Sequence, residues 1–332
     1  MKWFRSYYSG PISSHFDGKR FFNPWNRRVH TTFMTFLKWK IASRPKDWPD
    51  FVSNGQFDTP PPKVEGSFLR ASFVGHSTML VQTQGLNILC DPIWSEYGGP
   101  VKMTMTKRRH EPGILFDNLP KIDLVLISHN HYDHLDLKTV QQLWRRDRPL
   151  ILTPLGNDTI IQSYDSSILV ETLDWDQSRP FTKEVAVHLI PAQHWSSRGL
   201  WDWDKALWGA FVISTPGGNI YFAGDTGYGK GEVFQHARKK FGSFRFAMLP
   251  VGIYEPRWFM HYVHMNPADA VLAYRDLGEP YTLGMHLGTF QLADDGYDDP
   301  WIELERERKA HNIPEEKFKT LKPGQSWMVP KS

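Results

Sequence analysis

Cysteine is almost missing from this sequence: Cys90 is the single one in 332 residues. That excludes an intrachain disulfide framework and a cysteine-rich metal site, and it suits a reducing compartment. Long apolar runs are missing too, since no stretch approaches the ~20 residues of a membrane-spanning helix. The opening residues, MKWFRSYYSGPISSH, hold no apolar core of the secretory-signal kind. The expectation is a soluble, cytoplasmic protein. Charge of one sign is scarce as well. A formal net charge of +3 is too small to mark a nucleic-acid binder, and no nucleic-acid partner is expected. Repeats and low-complexity tracts are absent.

What the chain has instead is aromatic residues, 14 % of the total and unevenly spread. The first 50 residues carry 12 aromatics and 10 Lys/Arg against three Asp. Trp3, Phe4, Tyr7, Tyr8, Phe21, Phe22, Trp25, Phe33, Phe36 and Trp39 alternate with Lys2, Arg5, Arg20, Arg27, Arg28, Lys38 and Lys40. Such a mixture fits peripheral contact with a membrane surface. It fits somewhat better an N-terminal wrap whose rings pack on the main domain, and the two can coexist. Residues 43–66, rich in Pro and polar side chains, read as an extended connector. Residues 1–66 are thus expected to be an extension packing on the core, and 67–332 the main domain.

Beyond the connector the character changes to short apolar runs separated by turns. They fall at 71–74, 87–89, 122–127, 149–153, 168–171, 185–190, 210–214, 219–223, 244–251 and 281–285. Several are continuous rather than alternating, as in strands covered on both faces. Helices are expected at 137–146 and 231–240. A third should start behind Asn266 as N-cap, with Pro267 in its first turn, and stop at Gly278. This alternation indicates a layered α/β or α+β fold.

The polar clusters sit just past these runs. IDLVLIS leads into His129, His131, Asp133 and His134; VAVHLIPAQ into His194; NIYFAG into Asp225; YTLGM into His286. Loops at strand ends are where a rigid scaffold presents functional groups. Five histidines and two aspartates exceed the three protein ligands of one catalytic zinc. They suit two ions sharing a bridging carboxylate. A dication also removes the cost of holding so many ionisable groups together.

HNHYDH at 129–134 matches the H-x-H-x-D-H signature and resembles the metallo-β-lactamase superfamily. The resemblance is closer to one branch, the N-acylphosphatidylethanolamine-hydrolysing phospholipase D family and its bacterial relatives. It is carried by VGHSTMLV (74–81), DPIW (91–94), PAQHWS (191–196), LWG (207–209), FAGDTGY (222–228), GIYEPRWFM (252–260), His264 with Asn266 and Pro267 behind it, and HLGTF (286–290). It implies an α/β fold of the αββα sandwich type, two mixed β-sheets flanked by helices. It implies His129, His131 and His194 on one Zn²⁺, Asp133, His134 and His286 on a second, and Asp225 bridging. It also implies a phosphodiesterase of phospholipase D type, in which a hydroxide shared by the zincs attacks a phospholipid, with Asp133 orienting it.

The neighbours carry weaker expectations. His264 is a candidate phosphate or leaving-group contact, and with Asp133 and Asp225 completes the catalytic set. Arg257 could pair with a phosphate oxygen or form a structural ion pair. Tyr254, Trp258 and Phe259 could line an acyl groove or pack in the core. His76 is expected to support the site from behind its ligands. Trp195 and Trp208 read as packing, Cys90 as inert core, and Asn130 and Tyr132 as spacers. The stretch 292–297 is acidic where part of the family has a histidine. Rival readings are a lactonase or esterase, another phosphodiesterase with a small soluble substrate, and a non-catalytic metal-binding membrane scaffold.

Overall fold

The computed structural model describes residues 7–26, 33–99 and 106–331. Lys2, Trp3, Phe4, Arg5, Arg27 and Arg28 of the N-terminal stretch lie outside the described residues.

Most of the apolar runs are strands, and the strands form two seven-stranded sheets. The first contains β1 (Leu69–Gly75), β2 (Thr78–Thr83), β3 (Leu86–Cys90), β4 (Leu124–Leu126), β5 (Leu150–Pro154), β6 (Glu171–Leu173) and the last strand, β14 (Ser326–Val329). Its order is β14-β1-β2-β3-β4-β5-β6. The second contains β7 (Ser178–Pro180), β8 (Ala186–Ile190), β9 (Ala210–Ser214), β10 (Asn219–Phe222), β11 (Phe244–Pro250), β12 (Tyr281–Met285) and β13 (Phe318–Thr320). Its order is β13-β12-β11-β10-β9-β8-β7. Each sheet is mixed. In the first, β14 through β3 pair antiparallel and β3 through β6 parallel. In the second, β7 through β10 are antiparallel and β10 through β13 parallel.

Side chains explain why the runs are continuous. Along β3 and β4, Ile88, Cys90, Leu124 and Leu126 enter the large core between the sheets. The alternate residues Leu89 and Val125 enter a second core under the helices. With a period of two, apolar residues on both faces mean that the strand is covered on both. A one-residue slip would exchange the two sets, so register is tightly specified.

Helices cover the outer faces. α2 (Leu137–Asp147) and α3 (Asn157–Tyr164) bury Val140, Leu143, Ile160 and Ile161 against the first sheet. α4 (Glu232–Phe241), α6 (Pro267–Asp276) and α7 (Asp299–Ala310) cover the second, with Phe234, Val271 and Leu304 buried. α6 begins at a capping box: Asn266 accepts from the Asp269 amide and Asp269 from the Asn266 amide. Two smaller helices, α1 (Phe33–Ala42) and α5 (Arg257–Met260), meet where Trp39 stacks on Phe259 at 4.8 Å.

Residues 43–66 contain no helix or strand. The described N-terminal segment folds onto the main body. Phe16 and Phe21 are fully buried, His15 pairs with Asp174 at 2.7 Å, and the Phe21 amide donates to the Asp204 carbonyl. The strand expected at 168–171 falls instead at β6; Ile168 lies in the turn after α3, buried under the helices. Among the described residues, no helix is long and apolar enough to cross a membrane.

Candidate metal centre

Strand ends of both sheets converge on one edge. β4 leads to His129, His131, Asp133 and His134, β8 to His194, β10 to Asp225 and β12 to His286. The turn after β10 needs a glycine: Gly224 has φ +58, and a Cβ there would lie 2.5 Å from Ser128 Cβ. His76 (φ +57), Asp91 (φ +38) and His286 (φ +64) also adopt left-handed backbone at the ends of β1, β3 and β12. Such strain clusters at functional sites, where the surroundings hold it.

Donor atoms of His129, His131, His194 and Asp225 lie within 4.8 Å of one another, as do those of His76, Asp133, His134 and His286. The two groups meet at Asp225, whose Oδ2 is 3.1 Å from His134 Nε2 and whose Oδ1 is 3.1 Å from His286 Nε2. Its Oδ2 is also 3.9 Å from His129 Nε2 and 3.8 Å from His194 Nε2.

The hydrogen bonds behind these side chains set their tautomers. His194 Nδ1 faces the Val263 carbonyl at 3.0 Å. A carbonyl can only accept, so Nδ1 carries the proton and Nε2 presents a lone pair. His134 Nδ1 likewise donates to Asp91 Oδ2 at 2.6 Å. Ser128 Oγ donates to the same carboxylate at 2.6 Å and lies 2.9 Å from His129 Nδ1. His131 Nδ1 then has His129 Nε2 at 2.9 Å and His194 Nε2 at 3.2 Å. One nitrogen cannot hydrogen-bond usefully to both, and a cation among three converging imidazoles resolves the conflict. The donor set therefore fits divalent metal.

Titration in the cation-free protein agrees. Burial alone would lower His134 and His286. Asp225 overrides it in both, holding His134 well above its ordinary range and His286 at about 9. In turn His134 holds Asp133 and Asp225 well below the usual carboxylate range despite their burial. Burial keeps His129 and His194 well below theirs, His131 at about 4, and His76 and His264 at about 3. His134 and His286 thus hold protons beside Asp133 and Asp225, positive charge where bound cations would sit.

His76 is fully buried and its Nε2 lies 2.8 Å from Asp133 Oδ2. Several partners escape sequence reading. Asp91 carries the same signal as the other ligands, an acid just past an apolar strand. Asn23, whose amide donates to the His194 carbonyl at 2.9 Å, gives no local signal.

Over this floor stands a cavity of about 460 Å³. His131, Asp133, Asp225, His264 and His286 line its base. Trp39, Trp195, Trp203, Ile253, Phe259, Met260, Val263, Leu200 and Leu292 are among its apolar walls. Of the expected substrate contacts, His264 and Phe259 line it. His264 Nδ1 has no hydrogen-bond partner and sits 3.8 Å from Asp225. Arg257 does not: it pairs with Asp269 at 2.5 Å, donates to the His264 carbonyl, and faces a separate cleft. Tyr254 is buried outside the lining, and Trp258 lies near the Lys38 ammonium at 5.3 Å. Trp195, expected as packing, is a wall, whereas Trp208 packs in the core.

Two stacked mixed sheets with a His/Asp centre on their shared edge define a metal-dependent hydrolase of the αββα class. The chain belongs to the metallo-β-lactamase superfamily: the family model described as "Beta-lactamase superfamily domain" matches residues 86–287. It is 32% identical over 271 residues to the N-acyl-phosphatidylethanolamine-hydrolyzing phospholipase D 1 of Caenorhabditis elegans, covering 79% of this chain and 76% of that one. It is 34% identical over 244 residues to the mitochondrial N-acyl-phosphatidylethanolamine-hydrolyzing phospholipase D of Saccharomyces cerevisiae. That match covers 70% of this chain and 50% of the yeast protein, so the chain spans half of that relative's length. These relatives mark the phospholipase D-like branch. A possible metal-dependent hydrolase from Veillonella parvula shares the fold, with a TM-score of 0.63, 14% identity, and coverage of 79% of this chain and 99% of its own.

Proposed function

We propose that this hydrolase is a dinuclear zinc phosphodiesterase of phospholipase D type. Its substrate is an N-acylphosphatidylethanolamine-like lipid, cleaved to N-acylethanolamine and phosphatidic acid. The observation that carries this reading is a His/Asp cluster at the floor of a cavity walled by tryptophan and aliphatic side chains. A phosphodiester needs charge neutralisation at one end of the site, and acyl chains need apolar surface along the rest.

His129, His131 and His194 would hold one cation, Asp133, His134 and His286 the other, and Asp225 both. When bound, the pair supplies an acidified water and takes up charge on the phosphate oxygens. The chain's own residues do the positioning. His76 fixes the Asp133 carboxylate, which would orient the attacking water by accepting a hydrogen bond from it. His264, kept neutral by burial, lines the base of the cavity and would donate to the phosphate or leaving-group oxygen. Phe259 and Trp39 present a stacked apolar wall to acyl chains.

Peripheral membrane contact belongs to the same proposal. α1 sends Trp39 into the cavity wall while Met34, Leu37 and Ile41 stay exposed, and Leu200 and Trp201 are exposed on the segment between the wall residues Trp195 and Trp203.

Purified protein should contain about two zinc per chain. It should cleave N-acylphosphatidylethanolamine in preference to a lactone or a bis-aryl phosphate, and His131→Ala should lose that cleavage. Less than about one zinc per chain, or full turnover by His131→Ala, sinks the proposal.

A further inference from the structure

The H-x-H-x-D-H loop leaves two carbonyls unused by its own turn. Inside it, the amides of His134 and Leu135 both donate to the His131 carbonyl. The carbonyls of Asn130, between the first two ligands, and of Leu135, just past the last, are both taken by one side chain. Arg198 Nη1 donates to each at 2.9 Å. Its guanidinium lies 3.8 Å from the centre of the Tyr132 ring, and the Tyr132 hydroxyl returns a hydrogen bond to the Arg198 carbonyl at 2.9 Å. Tyr132 is therefore half of a reciprocal latch and more than a spacer.

Arg198 stands four residues beyond His194, on the arm that also lines the cavity with Trp195, Leu200 and Trp203. The arm is stiff at that point. Asp202 accepts from the Arg198 and Gly199 amides, the Ser197 hydroxyl and the Tyr7 hydroxyl. The hydrogen bonds of the Arg198 guanidinium run to backbone carbonyls, and Asp136 and Asp202 act on it only through space. A half-buried cation held in this way earns its place through shape, because a planar fork can span two carbonyls and stack on a ring.

We propose that Arg198, with Tyr132, is a positioning residue that sets the distance between the His129–His134 loop and the His194 arm. It thereby tunes one of the two metal positions selectively. The inference rests on the two-cation reading above. His129 and His131 lie on one side of the latch and His194 on the other. Of the other set, His286 takes nothing from the arm, and the side chains of Asp133 and His134 are held on their own side by His76 and Asp91.

The test is a titration of the cation-free protein with Zn²⁺ against a chromophoric chelator, for wild type, Arg198→Lys and Tyr132→Phe. Melting temperatures establish that each variant is folded. The wild type should bind two cations. Arg198→Lys should weaken one of them by about 10–100-fold, the range for losing an outer partner, and leave the other unchanged. Tyr132→Phe should weaken the same one less. In a His286→Ala background the Arg198→Lys effect should persist, and in a His194→Ala background it should vanish. Equal weakening of both cations, or of neither, overturns the latch while the two-cation reading stands. A wild type that binds fewer than two overturns the reading itself, and the latch with it.

Discussion

His76 shows how much of this site depends on a residue that need not touch metal. It is fully buried, kept neutral by burial, and spends its Nε2 on Asp133. Its left-handed backbone is held by the Thr289 hydroxyl, which accepts from the His76 amide, and by the His286 amide, which donates to the His76 carbonyl. His76→Ala is expected to lower turnover and the affinity of the Asp133-side cation by about 10–100-fold. Kinetics combined with metal titration would show this, and loss of melting temperature alone with unchanged affinity would contradict it. Protonation gives a second expectation at this scale. His134 and His286 are held above their ordinary range, His286 at about 9. Cations must displace those protons, so affinity should rise with pH across the neutral range and up to at least about 9. Calorimetry at pH 7.5 in buffers of different ionisation enthalpy should then report proton release on binding. Proton uptake, or none, would exclude this charge balance.

Among the elements, α6 joins stability to the site. Its capping box uses Asp269, which also pairs with Arg257, and Arg257 in turn donates to the His264 carbonyl. Asn266→Ala should cost about 0.5–2 kcal/mol of unfolding free energy, measured in urea. Asp269→Ala breaks the ion pair as well, so it should lower turnover further than Asn266→Ala does. Elements such as α6, β9 and β12 are legible in the sequence because turn residues bound their apolar runs. The cap at Asn266 and the stop at Gly278 frame α6, and the runs 210–214 and 281–285 coincide with β9 and β12. The helix α7 escapes, since its sequence DPWIELERERKA is mostly charged and buries only Pro300 and Leu304. β14 escapes because Ser326–Val329 is short and alternates with exposed residues at the sheet edge. The candidate ligands were legible for a related reason: each stands a few residues past a strand. The cavity walls were not, because Trp39, Trp195 and Leu292 come together only through tertiary packing.

At the scale of the whole molecule, the apolar surface continues from the cavity walls onto the exterior. Trp201 is 71% exposed and Ile41 70%, among the most exposed large apolar side chains described. Neither lines the cavity, whereas their neighbours Leu200 and Trp39 do. If this surface rests on a bilayer, each of the two side chains leaves water on docking and contributes ~1.5–3 kcal/mol. Replacing either with aspartate removes that gain and adds a charge facing anionic headgroups. Trp201→Asp and Ile41→Asp should each reduce co-sedimentation with anionic phospholipid vesicles by roughly tenfold or more, following 1.4 kcal/mol per decade. Hydrolysis of a small water-soluble phosphodiester should stay at the wild-type rate, because the base of the cavity is untouched. Equal loss on vesicles and on the soluble substrate would instead mean that these residues support the fold. Unchanged vesicle binding would assign membrane contact to another face of the molecule.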